Sequence, residues 1–202
     1  MEMINNKTEK PLSFYARRFA EADPEALSRR SGIPFSDGLF RTVLLGREVT
    51  VSWPEMVLTD SEAGLELSPS VRILMGRLLL EGAVVPGSGQ FKSYKEMPWG
   101  TVYETQFYGR CIRRLAGSFG SRPDCFCRSC EALGGRRIAG ADAAYEIAFL
   151  PGLPVRFLIW EGDEEFPASA QILFSDSFPA AFTAEDMAVV GDVILNALNG
   201  RF

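Results

Sequence analysis

Apolar positions recur along the chain with two different periods, and the switches between them set the expected order of elements. Leu12, Tyr15, Ala16 and Phe19 stand at helical spacing. Asp23 followed by Pro24 makes an N-cap with proline at the first helical position, and the helix it opens ends near Gly32. From Leu39 to Leu45, and again from Glu48 to Trp53, the pattern becomes strand-like. β-Branched Thr42, Val43, Val49, Thr50 and Val51 flank Gly46, which predicts a β-hairpin. Ser68-Pro69 opens the clearest helix, with Val71, Leu74, Met75, Leu78 and Leu79 on one stripe and Gly82 as its stop.

A passage rich in glycine and aromatic residues follows, from Gly87 to Tyr103, and leads into a helix expected around Glu104 to Ala116. A further helix from Pro123 to Leu133 stops at Gly134-Gly135, a pair suited to a left-handed C-cap. The pattern then returns to strands at Tyr145–Leu150, Val155–Trp160 and Ala170–Phe174. Thr183 and Asp186 form a capping box for a last helix, whose Met187, Val190, Ile194 and Leu198 share a face. The expected organisation is a flexible N-terminus over residues 1–11 and one α+β domain over residues 12–202. Its N-terminal hairpin and C-terminal strands are expected to meet in one mostly antiparallel sheet packed with helices.

Composition narrows the chemistry. The 202 residues include no histidine, which removes histidine-activated nucleophiles and His-ligated zinc, iron and haem sites. A net charge of −5 argues against nucleic acid as a partner. No stretch resembles a signal peptide or a membrane span, and four cysteines in this length do not read as a secreted disulfide framework, so the expected location is the cytoplasm. No cofactor is required by the sequence.

Four places carry candidate chemistry. Cys125, Cys127 and Cys130, with Cys111 upstream, could supply thiolates to a metal. On a helix, however, Cys125 and Cys127 lie about 200° apart, so metal binding is not favoured and Cys130 is expected to pack in the core. Glu161, Asp163, Glu164 and Glu165 follow the strand that ends at Trp160. Their mutual repulsion should raise at least one pKa, giving a general acid or oxygen ligands for a hard cation; the plainer alternative is a solvated turn anchored by Trp160 and Phe166. Gly87-Ser88-Gly89 beside Lys92 and Lys95 has elements of a phosphate cradle without the spacing of a P-loop. Phe91, Tyr94, Trp99, Tyr103, Phe107 and Tyr108 could line a pocket or pack in the core, and Arg110, Arg113 and Arg114 form a small cationic face.

The run from Trp160 to Pro167, followed by Ile172-Leu173-Phe174 and Glu185-Asp186, resembles an uncharacterised family, a domain of unknown function found mainly in anaerobic bacteria and archaea. Leu44-Leu45-Gly46-Arg47, Leu133-Gly134-Gly135 and Asp142-Ala143-Ala144-Tyr145 fit the same likeness. Some relatives are fused to ferredoxin-type iron-sulphur modules, so the resemblance implies a setting in anaerobic redox or cofactor metabolism. It implies no catalytic residues. The resulting expectation is a non-catalytic or accessory protein that binds a small ligand or a protein partner. Trp99 and Tyr103 would line its pocket, and Trp160, Glu161, Asp163, Glu164 and Glu165 would form the polar rim. A carboxylate-dependent hydrolase or lyase, and a structural interaction module that could form a homo-oligomer, are the alternatives.

Overall fold

The structure of the protein, a computed structural model, describes residues 9–201. The expected flexible N-terminus falls mostly outside these residues, but Glu9, Lys10 and Pro11 belong to the first turn of α1 (Glu9–Glu21). Pro11 is tolerated there because the first turn has no intrahelical partner for its missing N–H. In α2 (Pro24–Ser31), the Asp23 side chain accepts from the Glu25 N–H at 3.2 Å, and Gly32 closes the helix at φ 78°.

Strands β1 (Phe35–Ser36), β2 (Leu39–Leu44), β3 (Arg47–Ser52) and β4 (Leu58–Asp60) form an antiparallel sheet in chain order. Alternate residues Phe40 and Leu44 on β2, and Val49 and Val51 on β3, are buried in one hydrophobic core with residues of α1 and α3 (Pro69–Glu81). Phe19 meets Phe40 with ring centroids 5.6 Å apart, and the whole predicted stripe of α3 is buried.

The second sheet contains β5 (Phe91–Ser93), β6 (Arg136–Arg137), β7 (Ala143–Leu150), β8 (Leu153–Trp160) and β9 (Ser169–Ser175), in the order β5-β9-β8-β7-β6 with every pair antiparallel. The α+β class and the antiparallel pairing follow the sequence, but the hairpin does not join the C-terminal strands in one sheet. The two sheets touch where the Leu45 N–H donates to the Phe149 carbonyl at 3.1 Å. Leu45 and Gly46 turn left-handed at φ 49° and 80°, so the chain reverses into β3 before a ladder along β7 can form.

Helices cover the second sheet. After a short 3₁₀ turn (Tyr94–Glu96), α4 (Gly100–Phe107), one π-helical turn (Tyr108–Ile112) and α5 (Arg113–Phe119) run on continuously, longer at both ends than the pattern predicts. Next come α6 (Pro123–Ala132), α7 (Phe178–Ala181) and α8 (Ala184–Leu198). Gly191 lets α8 lie close to the π turn: a Cβ there would stand 3.0 Å from the Cys111 Sγ.

Candidate functional site

Where the two halves of the molecule meet, the end of α3, the α7–α8 corner and the start of α4 enclose a cleft of about 630 Å³, within the size range of small-ligand sites. Its lining is mostly apolar, with Trp99 just before α4, Val102 and Tyr103 within it, and Phe182 and the first turn of α8. Two glycines set its shape. A Cβ on Gly100 would fall 1.8 Å from the Tyr94 carbonyl oxygen, and one on Gly82 would fall 2.4 Å from that of Ala181. Only glycine therefore lets the start of α4 close onto the 3₁₀ turn and the end of α3 close onto α7. Tyr94 fastens the back wall: its hydroxyl donates to the Ala184 carbonyl at 2.7 Å and its ring stacks on Phe107 at 4.0 Å. Burial pushes the Tyr94 phenol up to about 12, so it stays a neutral donor.

Trp99 is the unusual residue of this site. It precedes α4 in the left-handed region, at φ 63°, and its side chain is 78% exposed. A bulky residue pays of order 1 kcal/mol to adopt that backbone, and an exposed indole recovers nothing from packing. Val102 and Tyr103 are also exposed, one turn on from Trp99, so an apolar ridge borders the cleft.

Across the cleft, Arg77 on α3 pairs with Asp186 on α8 at 2.7 Å. Asp186 also accepts from the Thr183 hydroxyl and the Thr183 N–H, completing the predicted capping box. Burial raises the Asp186 pKa, and the Thr183 hydrogen bond and the Arg77 charge oppose that shift only in part. The Arg77 guanidinium lies over the Tyr15 ring at 5.7 Å, and its Nε is buried without a hydrogen-bond partner. Because that atom is shielded from the cleft, it is a cost of packing and not a donor offered to a ligand.

The acidic turn lies elsewhere. A Cβ on Gly120, just past α5, would be 2.3 Å from the Ala168 Cβ, and one on Gly162 would be 2.6 Å from the Ala168 nitrogen. The turn therefore sits at the far end of the helical run that begins beside Trp99. At about 1.5 Å per residue, the run from Gly100 to Phe119 spans roughly 30 Å. The expected composite of Trp99 and Tyr103 with Trp160, Glu161, Asp163, Glu164 and Glu165 is not formed.

Within the turn, Asp163 accepts from the Glu165 and Phe166 N–H groups at 2.9 and 2.7 Å, and these bonds lower its pKa. Backbone donation to the ionised carboxylate, the Phe166 N–H foremost, is the cause, and burial opposes it only in part. The Glu161 N–H donates to Asp142 at 2.8 Å, and Phe166 is exposed, so it does not anchor the turn. A second depression, of about 690 Å³ and lined by Tyr108, Ile112, Arg113, Pro167 and Ala170, lies alongside.

The other candidates resolve into structural roles. Cys125, Cys127 and Cys130 lie on the helix α6, with Cys130 in the core and the other two half-buried. Among the described residues no group of three or more Cys, Asp or Glu side chains is placed to hold a metal ion. In the Gly87–Gly89 loop the Ser88 N–H donates to Asp176 at 3.1 Å, so the amide expected to meet a phosphate already faces a carboxylate. Arg110 and Arg114 pair with Asp192 at 2.6 and 2.5 Å, which ties α5 and the π turn to α8.

Sequence reasoning found Trp99 and Tyr103 but missed Arg77, Glu81 and the α7–α8 corner. The one local signal was Pro98-Trp99-Gly100, a large ring placed between two residues that shape turns.

These features describe an α+β protein with two antiparallel sheets and a mainly apolar cleft between their helical layers. Residues 23–197 match the model of a family described as a domain of unknown function (DUF3786), and the chain belongs to that family. No curated protein and no solved structure matches it. Among the described residues no helix is long and apolar enough to cross a membrane.

Proposed function

We propose that this protein is a binding protein, not a catalyst, and that it holds a small ligand with a flat or apolar face in the cleft between α4 and α8. The observation that carries this reading is Trp99, a strained and exposed indole at the mouth of a ligand-sized cavity. Backbone strain concentrates at sites where the strained residue has a use. An exposed Trp that stacks on a ligand recovers contact area the free protein leaves in water. The metabolic setting, anaerobic redox or cofactor metabolism with the protein in an accessory role, comes from the family resemblance alone.

The test is a titration with N-phenyl-1-naphthylamine, a neutral dye whose emission rises in apolar surroundings. The dye should bind with a stoichiometry near one, and Trp99→Ala should weaken it about tenfold, the order expected for losing one stacked aromatic contact. Equal binding by the wild type and Trp99→Ala would reject the cleft as the site.

A further inference from the structure

We propose that the ligand of this cleft is an organic cation, its positive group lying against Trp99 and Tyr103 and facing Glu185. The inference rests on the cleft being the binding site and adds the class of molecule it takes. The charges that face the cleft support it. Arg77 is the cation in the lining, and its charge is already met by Asp186 at 2.7 Å. Glu81 also lines the cleft, and Arg18 from α1 pairs with it. Glu185 remains: it lines the cleft in the first turn of α8, and among the described residues it makes no ion pair. The positive end of α8 would ordinarily invite an anion, but Glu185 and Asp186 both stand in its first turn and oppose it.

The rings point the same way. Trp99 and Tyr103 are exposed and line the same cleft as this carboxylate, and aromatic faces carry negative electrostatic potential that attracts quaternary ammonium and guanidinium groups. An anionic ligand would meet carboxylates and ring faces with no unpaired cation to receive it. A neutral one would leave the exposed Glu185 to water and gain nothing from its charge. A cation with an apolar body suits the rings, the carboxylate and the apolar floor together.

The experiment is displacement of the bound N-phenyl-1-naphthylamine by phenyltrimethylammonium and by tert-butylbenzene, its uncharged carbon isostere, in wild-type protein and in Glu185→Gln. The cation should displace the dye at a concentration about tenfold lower than the isostere. Glu185→Gln should reduce that preference severalfold, as should raising the salt concentration. An isostere that displaces as well as the cation, a preference unchanged in Glu185→Gln, or failure of both compounds to displace a bound dye would overturn the cation assignment while leaving the cleft intact as a binding site. Failure of the dye itself to bind, or its indifference to Trp99→Ala, would instead remove the cleft reading on which the assignment rests.

Discussion

The guanidinium of Arg77 and the carboxylate of Asp186, 2.7 Å apart, join the end of α3 to the first turn of α8 and so hold together the two walls of the cleft. Each comes from a different half of the molecule, and both are largely buried. Truncating one partner leaves the other charge uncompensated, so Arg77→Met should destabilise the fold by about 3 kcal/mol in urea denaturation. The double variant Arg77→Met/Asp186→Leu should recover part of that loss. A double variant no more stable than Arg77→Met alone would mean that the pair acts through its neighbours and not through its charges.

The backbone at Trp99 separates strain from side-chain loss. Glycine adopts a positive φ freely and alanine does not, so Trp99→Gly should be more stable than Trp99→Ala by about 1 kcal/mol. Both should lose the dye equally. Thermal denaturation of the two variants makes the comparison, and equal stability would show that residue 99 is relaxed when the indole is absent.

Gly100→Ala should be among the most damaging single methyl additions in the chain. The new Cβ meets a backbone carbonyl, which cannot swing aside as a side chain could. The expected cost is about 2 kcal/mol, in the range of overpacking, together with a changed dye affinity because α4 must shift. Gly109→Ala is the control, since a Cβ there meets nothing within 4 Å and helix propensity should make it slightly stabilising.

Two aspartates should give opposite responses to acid. Asp60 accepts from the Ala63 and Glu62 N–H groups and pairs with Arg47, and these partners, the Ala63 N–H foremost, hold its pKa below the ordinary value. Its contribution to stability is therefore complete above the unfolded-state pKa, near 4, and is lost as pH falls from there through the lower folded value. Asp186 has a raised pKa, so its ionised form costs stability above that value, and the cost is relieved as pH falls toward the unfolded pKa. Acid titrations of folding free energy should accordingly lose slope below pH 4 in Asp60→Asn, and lose a stabilising rise above pH 4 in Asp186→Asn.

The thiols should divide by burial. Desolvation pushes the Cys111 thiol up to about 12 and raises Cys130 as well, and both side chains are in the core. Native protein treated with a disulfide reagent should release colour quickly only from the half-buried Cys125 and Cys127, and from all four thiols in denaturant. Fast modification of Cys111 would mean that the contact between the π turn and Gly191 opens readily.

Much of this fold is legible along the chain because its devices are local. Asp23-Pro24, Ser68-Pro69 and the Thr183–Asp186 box mark helix starts, and Leu45-Gly46 marks the hairpin turn. The division into two sheets is not legible, because it depends on how the hairpin end meets β7 through one bond from Leu45 to Phe149, and strand periodicity does not encode that meeting. The cleft was half visible. Trp99 and Tyr103 stand out as aromatics near glycine, whereas Arg77 reads as one polar residue on an amphipathic helix until α8 brings Asp186 to it. The acidic turn drew attention through its density of charge, yet Asp163 spends its carboxylate on its own backbone.

A ligand lying against Trp99 is reported by the indole N–H signals of Trp53, Trp99 and Trp160 in a ¹⁵N–¹H spectrum. During titration with N-phenyl-1-naphthylamine, the Trp99 signal should shift or broaden in proportion to the bound fraction while Trp160, beside the acidic turn, stays in place. Movement of the Trp160 signal with Trp99 unchanged would place the dye at the acidic turn and not in the cleft.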